Sequence, residues 1–382
     1  MTQITDMQKT PTPYSRTNPF PAKVLKNINL NGAGSNKETR HIELSLKGSG
    51  FTYAPGDAAG IIPQNAPELA DMILDAMGWD SNTPVQVNDS TFTIRDALIS
   101  QFELTTLNKK IVQQAANLTE NGKLAELIAD DARLKEYLYG RDVLDLVSEF
   151  GPWKATPQEF IGILRKMAPR LYSIASSLTA HPDEVHLTIG AVRYNAQGRV
   201  HKGACSVMIA ERVKEGDTVP LFIQPNKHFK LPAKDKDIIM IGPGTGIAPF
   251  RSFIEERAVT KATGKAWLFF GDQHEATDYL YRSELENYLK AGVLTHISTA
   301  FSRDTDKKVY VQHRMLENSK ELFSWLEEGA HVYICGDKQN MARDVNEALL
   351  TIIEKEGAMS REDAENYLKQ MSDEGRYQKD VY

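Results

Sequence analysis

Four short apolar runs constrain this chain more than anything else in it. "DIIMIG", "KAWLFFG", "LTHISTAF" and "HVYICG" fall between residues 237 and 336, and a stretch of helical spacing follows each one. Those stretches are "PFRSFIEER", "YLYRSELENYLKAG", "VQHRMLENSKELFSWLEEG" and "NMARDVNEALLTIIEKEG". Strands that alternate with helices predict a parallel, doubly wound sheet. Ligands of such sheets bind beyond the carboxyl ends of the strands. The chemistry of this half is therefore expected in the loops that follow the apolar runs.

The first half reads differently. "AKVLKNINL" and "TRHIELSLKG" are strand-like runs separated by the turn-rich "NGAGSNKE", and "YAPGDAAGIIP" adds a turn and a short strand. From about 65 to 168 the spacing becomes helical, with "APELADMILDAMG", "TIRDALISQF", "KLAELIADDARLKEYLYG" and "TPQEFIGILRKM". Thr156 followed by Glu159 has the form of a capping box. Strand signals return at 169–225 in "RLYSIASS", "EVHLTIGAV" and "CSVMIAERV…VPLFIQ". A helical block between two antiparallel β blocks implies one interrupted domain. Residues 1–18, polar and proline-containing, read as a flexible leader.

Composition excludes several classes. At 382 residues the chain can bury large cores without disulfides or structural metal. Its two cysteines, Cys205 and Cys335, fit a reducing compartment, and no metal site is expected. The net charge of −6 argues against nucleic acid as the main partner. With no signal peptide and no apolar run long enough for a bilayer, no membrane partner is expected, and the expected location is the cytoplasm.

Five motifs carry candidate chemistry. "IMIGPGTGIAP" (239–249) follows a strand and opens a helix, with Gly242, Gly244 and Gly246 permitting close backbone approach and the helix N-terminus offering N–H groups to an anion. Its glycine spacing is not G-x-G-x-x-G, and a tight strand-to-helix turn is the alternative. "AFSRDTDKKVYVQH" (300–313) gathers Ser302, Arg303, Lys308, Tyr310 and Gln312 where the third strand should end. An Arg fork beside a Lys suits the 2′-phosphate of NADP, whereas Asp304 and Asp306 favour a solvated charged loop. "VYICGDKQNMARDV" (332–345) places Cys335 at a strand end, where core packing is the ordinary reading. In "RLYSIASS", Arg170 could pair with a phosphate, Tyr172 could stack on a planar ring and Ser173 could bond the ring's edge. "KGACS" (202–206) offers small residues and N–H groups to a pyrophosphate.

Taken in order, "RLYSIASS", "TIGAVRY", "GACS", "GPGTGIAPFRSF", "AFSRDTDKKVYVQ", "YICGDKQNMARDV" and the final "RYQKDVY" resemble the NADPH–cytochrome P450 reductase / sulfite reductase flavoprotein-subunit family, from about residue 18 onward. The resemblance implies an α+β multidomain fold: an antiparallel β-barrel FAD domain at 19–232, a helical connecting insert at about 65–168, and an α/β NADPH domain at 233–382 of the ferredoxin–NADP reductase kind. It implies that FAD is held by Arg170, Leu171, Tyr172, Ser173, Thr188, Ile189, Gly190, Tyr194, Gly203, Ala204, Cys205 and Ser206. Tyr382 would stack on the flavin ring as a gate. NADPH would meet Thr245, Ser302, Arg303, Lys308, Tyr310, Gln312 and Asp344.

Ser173 and Cys335 would align nicotinamide with flavin, and Asp380 would stabilise the nicotinamide cation. Hydride would pass from NADPH to FAD. Family members usually carry an N-terminal flavodoxin-like FMN domain, and here only the leader precedes the first strand. The expected acceptor is therefore a separate FMN-binding flavodoxin-like protein or a hemoprotein reductase subunit. A ferredoxin or flavodoxin reductase and a non-catalytic flavin-binding redox subunit are the alternatives. The helical insert and the "RYQKDVY" ending favour the first reading.

Overall fold

Strand positions are set by where the sequence alternates or runs apolar. The structure, a computed structural model, describes residues 12–382. The expected leader falls on residues 1–11 in part, outside the described residues. Thr12 donates to the Ser49 carbonyl at 2.7 Å, and Tyr14 packs edge-on against Phe20 with centroids 4.9 Å apart.

Among the described residues fifteen strands follow in order: β1 (Phe20–Asn29), β2 (Thr39–Ser45), β3 (Ala58–Ile61), β4 (Pro84–Val87), β5 (Ser90–Thr93), β6 (Arg170–Ser173), β7 (Glu184–Gly190), β8 (Arg193–Ala196), β9 (Arg199–Lys202), β10 (Thr218–Gln224), β11 (Ile238–Ile241), β12 (Ala266–Asp272), β13 (His296–Phe301), β14 (His331–Gly336) and β15 (Tyr377–Val381). They build a six-stranded sheet of order β6-β3-β10-β1-β2-β7, a five-stranded sheet of order β13-β12-β11-β14-β15, and two small hairpins.

In the six-stranded sheet, β1 runs antiparallel to β10 and β2, and β2 antiparallel to β7. The expected closed barrel is not what forms. Its two edges meet at one isolated bridge, between Ile174 and Leu187, and at the bond from His186 N–H to Ser176 Oγ at 2.9 Å, not along a ladder among the described residues. The reason is length: β6 has four residues, too few to extend a full ladder along β7, and closure needs a continuous ladder.

The five-stranded sheet is parallel throughout, as the strand–helix alternation predicts. Its inner strands are buried on both faces, which is why they read as unbroken apolar runs. Alternate residues serve opposite layers. Ile239, Ile241, Trp267, Phe269 and Ile334 pack in one core with Val345, Leu349 and Ile353 of the helix Met341–Glu356. Ile238, Met240, Leu268, Phe270, Tyr333 and Cys335 pack in the other with Phe250, Phe253 and Ile254 of the helix Ile247–Val259.

Two compact units emerge. One comprises the segments up to Gly60, Leu171–Gly190 and Lys214–Tyr382; the other comprises Ile61–Arg170 and Ala191–Val213. The second unit buries its own core of helical side chains, among them Ile73, Leu98, Val112, Leu146 and Phe160. Its helix Pro157–Ile163 starts on the expected capping box: Glu159 N–H donates to Thr156 Oγ1 at 3.3 Å, and Thr156 N–H donates to Glu159 Oε2 at 2.8 Å.

Candidate functional site

The loop after β11 is built for close approach. Gly244 has φ +57°, and a Cβ added at Gly246 would lie 2.2 Å from the Cys335 carbonyl oxygen. Only glycine lets this turn press against the end of β14. The same loop meets β7, because a Cβ at Gly190 would lie 3.3 Å from Thr245 Cγ2.

Beside this loop the last strand brings four expected residues together. The parallel register sets Asp380 opposite Cys335 and Val381 opposite Gly336. Ser173 Oγ donates to Asp380 Oδ2 at 2.6 Å, across 207 positions of sequence. Cys335 Sγ lies 3.9 Å from the same oxygen. Cys335 is wholly buried, and burial, with Asp380 close by, pushes its thiol well above the ordinary range. It therefore stays a neutral thiol at working pH, packed in the core yet lining the carboxylate. Tyr382 is 65% exposed, its hydroxyl 2.9 Å from Thr245 Oγ1. Its backbone is pinned twice: Tyr382 N–H donates to Gly336 O, and Lys338 N–H donates to Tyr382 O, each at 3.1 Å.

The loop after β13 has the opposite character. Ser302 N–H donates to Asp272 O and Arg303 N–H to Gln273 O, both at 2.9 Å, so the backbone continues alongside β12. Arg303 and Lys308 are exposed and make no ion pair among the described residues. Tyr310, 42% exposed, opens the helix Val311–Glu317, where Gln312 is half-buried. Asp344, in the first turn of Met341–Glu356, pairs with Arg343 at 3.1 Å.

Other expected residues are engaged elsewhere. In the first unit Leu171 is 55% exposed and Tyr172 half-buried, whereas Ile189 is core. Thr188 turns its hydroxyl to Tyr281 at 2.7 Å, and Tyr281 in turn lies 2.9 Å from His41 Nδ1. In the second unit Arg170 pairs with the buried Glu103 and donates to Ala168 O at 2.7 Å. Burial opposes ionisation of Glu103, but the Arg170 and Thr105 hydrogen bonds hold its carboxyl below the usual range. Tyr194 stacks flat on the buried His201, centroids 5.0 Å apart, and His201 Nε2 lies 2.8 Å from Asp145 Oδ2. Gly203, Ala204, Cys205 and Ser206 form a tight turn into the helix Ala204–Val207, where a Cβ at Gly203 would meet Ser206 Oγ at 2.8 Å.

Sequence reasoning missed the supports beneath these groups. Lys37, from the turn-rich "NGAGSNKE", pairs with the buried carboxylate of Asp272 near Gly244. Arg251, nearly buried, bonds Glu255, Glu284 and the Ala175 carbonyl. Nothing in the local pattern marks the Lys37–Asp272 pair, whose partners lie 235 positions apart, and the four-residue spacing of Arg251 and Glu255 does not reveal that the pair is buried.

Residues 12–208 match the family model described as FAD binding domain, and residues 240–347 match the one described as Oxidoreductase NAD-binding domain. The first match alone covers more than half of the chain. The chain belongs to the FAD binding domain family. It is similar to the sulfite reductase (NADPH) flavoprotein alpha-component of Bacillus subtilis, 60% identical over 375 residues, 97% of this chain and 62% of that protein. The proteins of the same description from Photobacterium profundum and Aliivibrio fischeri are each 45% identical, over 99% and 97% of this chain. The chain thus spans about three fifths of the length of these relatives. No described helix is long and apolar enough to cross a membrane.

Proposed function

We propose that this chain is an NADPH-dependent FAD reductase that passes electrons onward to a separate carrier. The observation that carries the reading is the meeting of Ser173, Cys335, Asp380 and Tyr382 at the carboxyl end of the parallel sheet, where such sheets bind their ligands. We read residues 19–232 as the flavin-holding part, a barrel-like sheet with the helical insert at about 65–168, and residues 233–382 as the nucleotide part.

The residues fit a flavin. Tyr382 presents an exposed ring, and Gly190 and Gly203 stand where a Cβ would crowd neighbouring atoms. Arg170, Leu171, Tyr172, Ser173, Thr188, Ile189, Gly190, Tyr194, Gly203, Ala204, Cys205, Ser206 and Tyr382 would hold FAD, which when bound supplies the hydride acceptor. Thr245, Ser302, Arg303, Lys308, Tyr310, Gln312 and Asp344 would hold NADPH.

The chain's own residues position and stabilise. Asp380 keeps its carboxylate aimed by the Ser173 hydroxyl, so positive charge growing on a nearby ring is favoured without side-chain reorganisation. Cys335 stays neutral and packs beside the carboxylate. Tyr382 acts as the gate: moving its ring aside breaks the Thr245 hydrogen bond, a net cost of about 1 kcal/mol. That is small enough for nicotinamide binding to drive. The electron acceptor we propose is an FMN-binding flavodoxin-like protein or a hemoprotein subunit, since the relatives are named as one component of an assembly. Two buried cysteines that form no disulfide suit a reducing compartment such as the cytoplasm.

The test is anaerobic mixing of the FAD-loaded chain with NADPH or NADH while the flavin absorbance is followed. Fast bleaching by NADPH and slow bleaching by NADH is the expected result. No bleaching with either nucleotide overturns the reading.

A further inference from the structure

Asp304 sits one residue from Arg303, the cation expected to meet the 2′-phosphate, and an acid there should compete with that phosphate. The structure shows what becomes of it. His274 Nδ1 lies 2.9 Å from Asp304 Oδ1, and the Glu275 N–H donates to Asp304 Oδ2 at 2.9 Å. Both carboxylate oxygens are therefore occupied from the β12 side. These bonds complete a run in which Asp272, Gln273, His274 and Glu275 hold Ser302, Arg303 and Asp304 in succession. Arg303 and Lys308 are left without a carboxylate partner among the described residues.

We propose that His274 is a positioning and specificity residue: by holding Asp304 it keeps Arg303 open for the 2′-phosphate of the dinucleotide. This inference rests on the reading of the loop as the NADPH 2′-phosphate site. The physical reason is competition. An exposed Arg beside a mobile Asp forms an internal pair, and a phosphate must break that pair before it can take both guanidinium N–H groups. With the acid tied back, the fork is free before ligand arrives, and less binding energy is lost to rearrangement. Nδ1–H of a neutral imidazole suffices, so no protonation is required.

The experiment compares the FAD-loaded wild type, His274→Ala, His274→Gln, Asp304→Asn and the double variant His274→Ala/Asp304→Asn. The probes are adenosine 2′,5′-bisphosphate and 5′-AMP, bound in calorimetry without turnover, and KM and kcat are measured with NADPH and NADH. His274→Ala should weaken the bisphosphate roughly tenfold, the scale of one charge-assisted hydrogen bond, and raise KM for NADPH alike. Affinity for 5′-AMP, KM for NADH and kcat should hold. Gln can still donate to Asp304, so His274→Gln should keep wild-type affinity. Asp304→Asn should bind the bisphosphate at least as well as wild type, and the double variant should recover most of the loss.

Two results overturn the proposal: undiminished affinity in His274→Ala, or a double variant as weak as His274→Ala, which would make His274 a loop anchor alone. Wild type that binds the bisphosphate no better than 5′-AMP sinks the phosphate-site reading itself, a separate failure. Retained flavin and unchanged melting temperature establish that each variant is folded.

Discussion

The carboxyl end of β14 and the loop after β13 lie in one unit and treat charge in opposite ways. At the first, Asp380 is bonded to Ser173 and flanked by Cys335, and Tyr382 is bonded to Thr245. Polar groups there have partners within the protein. At the second, the acid is tied back and the cations Arg303 and Lys308 are left open. The difference fits the part we propose for each place. A group that must act on a neutral ring at a fixed angle is held by the protein. A group that must meet a dianion is left waiting for it, because an internal partner would have to be displaced.

The largest expected effect breaks the first region. Asp380→Asn keeps the shape and removes the charge, so flavin reduction at saturating NADPH should slow by about 10²-fold with little change in KM. Stopped-flow rates check it, and a change confined to KM would make Asp380 a binding residue. Next, Arg303→Ala should raise KM for NADPH by roughly 10- to 100-fold, the loss expected of a hydrogen bond to a charged group, and leave NADH unaffected. Equal losses with both nucleotides would erase the contrast between the two regions. Tyr382→Ala should narrow the preference for NADPH over NADH by a few-fold, about the cost of moving the ring. Steady-state ratios with both nucleotides read this directly.

A last effect, on stability rather than on activity, concerns the buried histidines beside Arg251. His41 and His186 are buried and lowered from 6.5 to about 4 and about 2, by burial first and the Arg251 charge second. Each fits a neutral ring: Nε2–H reaches Glu43 or Glu184 at 3.0 Å, while Nδ1 faces the Tyr281 hydroxyl or the Arg251 guanidinium. A depressed histidine binds fewer protons folded than unfolded, so stability is full above the unfolded value near 6.5 and is lost as pH falls below it. Each group should contribute about 1.4 kcal/mol per pH unit in that window. Melting temperature should drop between pH 7 and pH 5, and His41→Gln should flatten the slope. An unaltered slope would rule out His41 as a source of the pH dependence.

Much of the nucleotide half was legible. Unbroken apolar runs predict strands buried on both faces, and their alternation with helices predicts that they run parallel. The residues Ser302 to Gln312 were readable as a set because they sit together in sequence. Closure of the first sheet was not, since it depends on how far the four residues of β6 can reach. Nor was the role of Asp304, whose charge looked unfavourable until His274, 30 positions earlier, was seen to hold it.

The sequence by itself determined the elements of the parallel half and the residue types at the ends of its strands, because periodicity and turn chemistry are local, but "CSVMIAERV", read as strand, is helical over 204–212. Only the tertiary structure decided which of those residues meet. Ser173 reaches Asp380, Thr188 is drawn to Tyr281, and Gly246 lets the loop press on Cys335. Those pairings depend on packed distances between segments far apart in the chain, and side-chain reach of a few ångströms is fixed only when the core closes.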